Sequence, residues 1–304
     1  MIMIHGDVDG EEYNEPFSKG VLARSLITAD LGSNKAYRLA SYIESKLLES
    51  NVSMISIEDL VQIVINELNK EDPYIAKKYV TWRKIRNSKD PLIILIGGAS
   101  GVGTSSIAFE IANRLAIKNM ISTDMIREVM RKIVSKELSP VIHESSFTAY
   151  KGMRVLPPGD PDKVLTGFID HVDTVNVGIE GVIDRALKEG ISIVIEGVHI
   201  VPGFIKQTLL KKENVVLFSL CLNDENMHRN RFYSRGRERW AKRPLGHYLD
   251  NFDSIRKTHD YIINQSEKYD SKLIENIDVI KTVDDMIIYI TEKYGGMDDV
   301  EQKS

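Results

Sequence analysis

The chain has 304 residues, 42 % from the apolar set and 28 % charged, with 40 Lys plus Arg against 44 Asp plus Glu for a net charge of −4. Such a balance belongs to ordinary globular proteins and excludes disordered, collagen-like and disulfide-stapled classes; it leaves no global basic field for nucleic acid or an anionic membrane. Cys221 is the single cysteine, so no intramolecular disulfide, zinc ribbon or CxxC pair can form, and a reducing cytoplasm is the expected setting.

At roughly 100 to 200 residues per domain the length suggests two domains. The first, residues 1–88, opens on the turn-rich MIMIHGDVDGEEYNEPFSKG and then becomes helical. Val21, Leu22, Ser25, Leu26 and Ala29 share a helical face; AYRLASYIESKLLES and SIEDLVQIVINELNK follow, the latter with Ser56 and Asp59 as a cap. The segment ends in AKKYVTWRKIR, with Tyr79 and Trp82 on one face, and the loop residues NSKDP mark the boundary to a second domain, 89–304.

After Pro91 strands alternate with helices. Leu92–Ile96, Ile191–Ile195 and Val215–Leu220 are apolar strands of the kind a parallel sheet buried on both faces requires, which predicts a doubly wound α/β domain beside a smaller, mainly helical one. The longest of these runs is far short of the roughly 20 residues a membrane-spanning helix needs, and the chain's start lacks the layout of a signal peptide. Between Leu138 and Asp170 the pattern is weak, and a substrate-covering insertion is expected there.

The strongest chemical signal is the run Gly97–Ser106, GGASGVGTSS, between an apolar strand and a helix. Glycines there let successive amides curl round an anion while the helix aims its positive end at the same point. The P-loop frame G-x-x-x-x-G-K-[ST] reads Gly98, Ala99, Ser100, Gly101, Val102, Gly103, Thr104, Ser105, with Ser106 following. The lysine is replaced by Thr104, so one positive charge must come from elsewhere; Ser105 stands at the magnesium-ligating hydroxyl. A glycine-rich turn without phosphate is the competing reading, and the three-glycine spacing of a dinucleotide loop is not kept.

Asp124 ends a short strand, and Arg127 and Arg131 follow at i and i+4 spacing. The acid can orient an acceptor hydroxyl and the arginines an anionic acceptor, against the alternative of a helix cap with solvated arginines. Glu196, ending ISIVIEG, takes the position of a magnesium-linked acid or else caps the next element. His143 and His199 read more readily as hydrogen-bonded residues than as catalysts. Residues 228–243 concentrate Arg229, Arg231, Arg235, Arg237, Arg239, Lys242 and Arg243 against Glu238 alone, a local excess of six. This suits a lid closing on a triphosphate; a solvated basic helix is the alternative.

Taken together, EPFSKGVLARSL, WRKIR, IILIGGASGVGTSS, TDMIREVMRK, IEGVHIVPG and the Arg-rich segment resemble the archaeal 2-phosphoglycerate kinases, over nearly the whole chain. The resemblance implies a Mg²⁺- and ATP-dependent kinase that converts 2-phosphoglycerate to 2,3-bisphosphoglycerate on the route to cyclic 2,3-diphosphoglycerate. In that reading the loop from Gly98 to Ser106 holds ATP and Ser105 and Glu196 position magnesium. Asp124, Arg127 and Arg131 bind the acceptor, and Arg231 and Arg235 close from the lid. A K⁺ ion near Thr104 is an additional candidate, as is a homo-oligomer; nucleic-acid and membrane partners are not expected. Residues 1–88 look like an ATP-cone on EPFSK and the Tyr79, Trp82, Arg83 ending, although the Val-x-Lys-Arg entry of such modules is replaced by His5-Gly6-Asp7-Val8-Asp9. A kinase with a nucleoside or other anionic acceptor, and a non-enzymatic ATP sensor, are the alternatives.

Overall fold

The structure, a computed structural model, describes residues 2–8, 11–29, 31–87, 90–155, 158–159, 161–236 and 244–295. They form two compact units, the first drawn from residues 1–88 with 114–116 and 294–295, the second from 89–113 and 117–293.

The first unit holds β1 (Met3–Val8), β2 (Glu11–Pro16), α1 (Lys19–Thr28), α2 (Ser33–Glu49), β3 (Met54–Ser56), α3 (Ile57–Glu71) and α4 (Pro73–Asn87). β1 pairs antiparallel with β2 and parallel with β3. The opening segment is therefore a small sheet where turns were expected. The signal was faint because, among the described residues of the segment, Ile2 and Ile4 carry the buried aliphatic weight, while β2 is polar and nearly all exposed. Ser18 and Ser56 cap α1 and α3, the Ser56 hydroxyl accepting from Asp59 N at 3.0 Å. Leu22, Leu26, Ile43, Val64, Leu68 and Tyr79 pack one core, whereas Val21, placed on the same face by spacing, is 66 % exposed.

The second unit runs β4 (Ile93–Gly98), α5 (Thr104–Arg114), β5 (Asn119–Ser122), α6 (Thr123–Ile133), 3₁₀ turns at Val141–His143 and Ser146–Gly152, and α7 (Lys163–Lys188). It continues through β6 (Ile193–Gly197), α8 (Gln207–Leu210), β7 (Val215–Cys221), α9 (Glu225–Gly236), α10 (Leu245–Leu249), α11 (Phe252–Lys268), β8 (Lys272–Glu275) and α12 (Val279–Gly295). All five strands are parallel, in the order β5-β6-β4-β7-β8. β4 is buried throughout: Ile93 and Leu95 join a core with Val175, Ile179 and Ile195, and Ile94 and Ile96 are also fully buried. A strand covered on both faces needs that uninterrupted aliphatic run. Its carboxyl end, between β6 and β7, is where a crevice opens in such sheets.

The stretch after Leu138 departs from the expected covering insertion. Val141, Ile142, Phe147 and Ala149 are buried, and the second 3₁₀ turn packs on α7, which starts at Lys163 under the Asp162 cap. Gly167 makes this packing close: a Cβ there would stand 2.3 Å from Tyr150 N. Gly167→Ala is expected to cost about 1–3 kcal/mol, as overpacking against backbone does, read as a lowered urea midpoint with unchanged slope.

Candidate active site

Backbone chemistry dictates how the glycine loop is built. Amides that curl inward round an anion leave carbonyls pointing back into the protein, and each of those needs a donor. Ser100 O receives His228 Nε2 at 2.8 Å, and Val102 O receives Arg231 Nη1 at 2.7 Å and Asn276 Nδ2 at 2.8 Å. Arg231 Nη2 also donates to the carbonyls of Asn276 and Ile277, and Thr282 Oγ1 donates to Asn276 Oδ1 at 3.1 Å. Behind His228, Arg256 Nη1 lies 3.3 Å from Nδ1. A guanidinium can only donate, so Nδ1 is the acceptor and the imidazole proton is fixed on Nε2, facing Ser100 O. Gly101 and Gly103, at φ +91° and +97°, face these donors; a Cβ would meet Phe232 at 2.5 Å in the first case and Asn276 Nδ2 at 2.7 Å in the second. Only glycine meets both the backbone angle and the space.

On the cavity side, Glu196 accepts from both hydroxyls that follow Gly103: Thr104 Oγ1 at 2.7 Å and Ser105 Oγ at 3.1 Å. The residue at the lysine position is thus hydrogen-bonded to the acid at the end of β6. The cavity is about 620 Å³ and is lined by Gly98–Gly101 and Gly103–Ser106 together with Ser122, Thr123, Asp124, Glu196, Gly197 and Arg231. The carboxyl ends of β4, β5 and β6, and Asn276 just past β8, all contribute.

Asp124 sits in the first turn of α6, which Ser122 caps by accepting from Met125 N at 3.2 Å. Its side chain is half exposed to the cavity, and Arg127 Nη2 lies 3.4 Å from Oδ1. Arg127 is itself buried and donates to Glu144 O at 2.6 Å; Arg131 is paired with Glu128 at 2.8 Å. Neither arginine is among the residues that line the cavity: Arg127 is turned into protein, and Arg131 pairs with Glu128 of its own helix. Arg127 supports Asp124 from beneath instead.

Comparison with known proteins bears on what this site does. The chain is 62 % identical over 275 residues to a 2-phosphoglycerate kinase of Methanothermobacter thermautotrophicus, covering 90 % of each chain. It is 46 % identical to those of Methanopyrus kandleri and Methanocaldococcus jannaschii, covering 88 % of this chain and 81 % and 85 % of theirs. The chain belongs to the 2-phosphoglycerate kinase family. Residues 9–88 match the ATP cone domain.

Within this kinase the expected lid divides. Arg231 is half-buried on α9 with its guanidinium already seated on the loop's carbonyls, so it belongs to the floor of the site and not to a closing arm. The Arg235 side chain and residues 237–243 lie outside the described residues. His143 bonds Val134 O, away from the cavity. Sequence reasoning missed His228, Asn276 and Arg256; the available signal for Asn276 was its place just past a strand's carboxyl end. In the ATP-cone unit a second cavity of about 250 Å³ is bounded by Tyr13, Phe17, Tyr79 and Trp82, with Glu15 and Arg83 as its charged groups.

Burial holds several histidines neutral. Desolvation, aided by neighbouring charge, takes His171 down to about 2, His199 to about 3 and His228 to about 4, and lowers His259. In the unfolded chain these rings protonate near 6.5, so between that value and the folded ones the unfolded chain binds more protons. Their contribution to stability is therefore complete above about pH 6.5 and falls as pH drops below it. Urea midpoints measured from pH 7.5 to 5.0 should decline across this range, before carboxylates titrate.

Proposed function

We propose that the protein transfers the γ-phosphoryl group of ATP to the 3-hydroxyl of 2-phosphoglycerate, giving 2,3-bisphosphoglycerate and ADP, the former being the open-chain precursor of cyclic 2,3-diphosphoglycerate. One observation carries the choice of acceptor: 62 % identity across 90 % of the chain to a 2-phosphoglycerate kinase. The geometry supports the reaction class. Gly101, Gly103, Thr104 and Ser105, at the start of α5, line the cavity, and amides at a helix start suit a triphosphate. Arg231, held under the loop at Val102 O, supplies the positive charge missing at Thr104. Asp124 accepts the proton of the acceptor hydroxyl as its oxygen attacks the γ-phosphorus and the bond to ADP breaks. Cations for the acceptor's own phosphate and carboxylate we assign to the Arg-rich segment, Arg235 included.

Mg²⁺ fits the groups present. Ser105 Oγ and the Glu196 carboxylate meet at 3.1 Å, an all-oxygen pair of hard donors, and among the described residues no cluster of three or more His, Cys, Asp or Glu forms a dedicated metal cage. Magnesium bound there would neutralise charge on the β- and γ-phosphates. No observation supports K⁺ near Thr104, whose hydroxyl is engaged by Glu196.

ADP release measured with 2-phosphoglycerate, 3-phosphoglycerate, glycerate and a nucleoside tests the reading: release dependent on 2-phosphoglycerate is expected, and preference for any of the others overturns it. Ser105→Ala should raise the Mg²⁺ concentration needed for half-maximal turnover; an unchanged requirement removes Ser105 from the metal. Arg231→Ala should lower kcat by a factor on the order of 10³ or more, with Arg231→Lys recovering part of it, and a change confined to KM would sink the charge-replacement role.

A further inference from the structure

Beneath the cavity, where β6 ends and α6 begins, lies a set of polar side chains that the reaction scheme leaves unused. Thr123, His199 and His171 are all completely buried. His199 Nδ1 stands 2.7 Å from Thr123 Oγ1, and its Nε2 stands 3.1 Å from His171 Nδ1; the two rings lie 4.9 Å apart. The chain therefore crosses three elements: the first residue of α6, the turn after β6 and the middle of α7.

Its location gives it meaning. Ser122 and Glu196 are register partners at the end of the β5–β6 pair, and beyond them the two backbones part. One enters α6 and carries Asp124; the other passes through Gly197 and Val198. His199 returns to Thr123 and closes the gap. Gly197, at φ +137°, permits the approach, since a Cβ there would sit 2.2 Å from Thr123 Oγ1. The two acids of the site, Asp124 and Glu196, thus stand on segments tied together one residue from the first and three from the second.

We propose that Thr123, His199 and His171 form a positioning relay that sets the separation of Asp124 from Glu196, and so of the acceptor hydroxyl from the metal-bound phosphoryl group. The inference rests on the kinase reading above. A leucine or phenylalanine at 199 would fill the volume yet strand the buried Thr123 hydroxyl, and small displacements of reacting groups are costly in rate. Burial keeps both imidazoles uncharged beside Arg127, whose guanidinium remains directed at Asp124. His171 in turn holds the His199 ring in the orientation that reaches Thr123.

The test compares variants that cut the relay at different bonds in the full-length protein. Thr123→Val removes the hydroxyl at near-constant volume, and His199→Gln reaches toward His171 but not Thr123. Both should lower kcat about tenfold or more while KM for ATP stays within about twofold. His199→Asn places an amide near Nδ1 and keeps the Thr123 bond while losing the His171 bond, so its kcat should fall short of wild type yet stay several-fold above that of His199→Gln at comparable thermal stability. The double variant Thr123→Val/His199→Gln should be no slower than the slower single. Equal kcat for His199→Asn and His199→Gln, or multiplying losses in the double variant, would overturn the relay and leave an ordinary buried hydrogen bond. Wild-type protein run in parallel separates the two questions, because absence of 2-phosphoglycerate-dependent ADP release refutes the kinase reading alone. In that event ¹⁵N spectra of the histidine rings decide the relay: Thr123→Val should move the His199 Nδ1 resonance and, through it, that of His171, and unmoved resonances would refute it.

Discussion

Two donors meet on the carbonyl oxygen of Val102: the guanidinium of Arg231 and the amide of Asn276. A loop can turn its N–H groups toward an anion only if its carbonyls find partners on the other side, and here those partners come from chain segments 129 and 174 residues away. His228, 128 residues from Ser100, does the same for the preceding turn. The glycine loop is consequently held in shape by the carboxyl-terminal half of the unit docking on the amino-terminal motif. Gly101 and Gly103 are glycines as much for that docking as for the ligand, since their open faces look at Phe232, His228 and Asn276.

Charge is arranged by the same economy. The position that holds a lysine in the general P-loop holds Thr104, whose hydroxyl goes to Glu196 together with that of Ser105. Cationic charge then stands under the loop, at Arg231, where its own hydrogen bonds rigidify the backbone. A second pattern recurs: a neutral buried imidazole beside an arginine, His228 with Arg256 and His199 and His171 with Arg127. A neutral ring can bond without adding repulsion or the desolvation penalty of a second ion. One such pair bonds the glycine loop at Ser100 and the other reaches Thr123, beside Asp124.

The sequence was most legible where a local pattern had one physical meaning. The aliphatic run of β4 with the glycines after it implied a strand, a turn and a helix; Ser56 and Asp59 implied a helix start; Glu196 at the end of an aliphatic run implied an acid at a crevice. It was misleading where one periodicity serves two surroundings. Arg127 and Arg131 share a face at i and i+4 whatever that face meets, and only the tertiary structure turned Arg127 to the Glu144 carbonyl while Arg131 stays with Glu128 on its own helix. It was faint at β1 and β2, where a polar edge strand shows little alternation, and between Leu138 and Asp170, where short 3₁₀ turns bury Phe147 without any repeating pattern.

By itself, then, the sequence determined the fold class, the glycine turn between β4 and α5 and the family, because hydrophobic periodicity and glycine placement act over a few residues and survive in one dimension. Tertiary structure alone decided which side chains serve the loop. His228, Arg231 and Asn276 converge on two carbonyls, and His171 reaches His199, through contacts whose partners lie 28 to 174 residues apart. Those bonds depend on where β7, β8, α7 and α9 come to rest around β4, and no spacing along the chain encodes that distance.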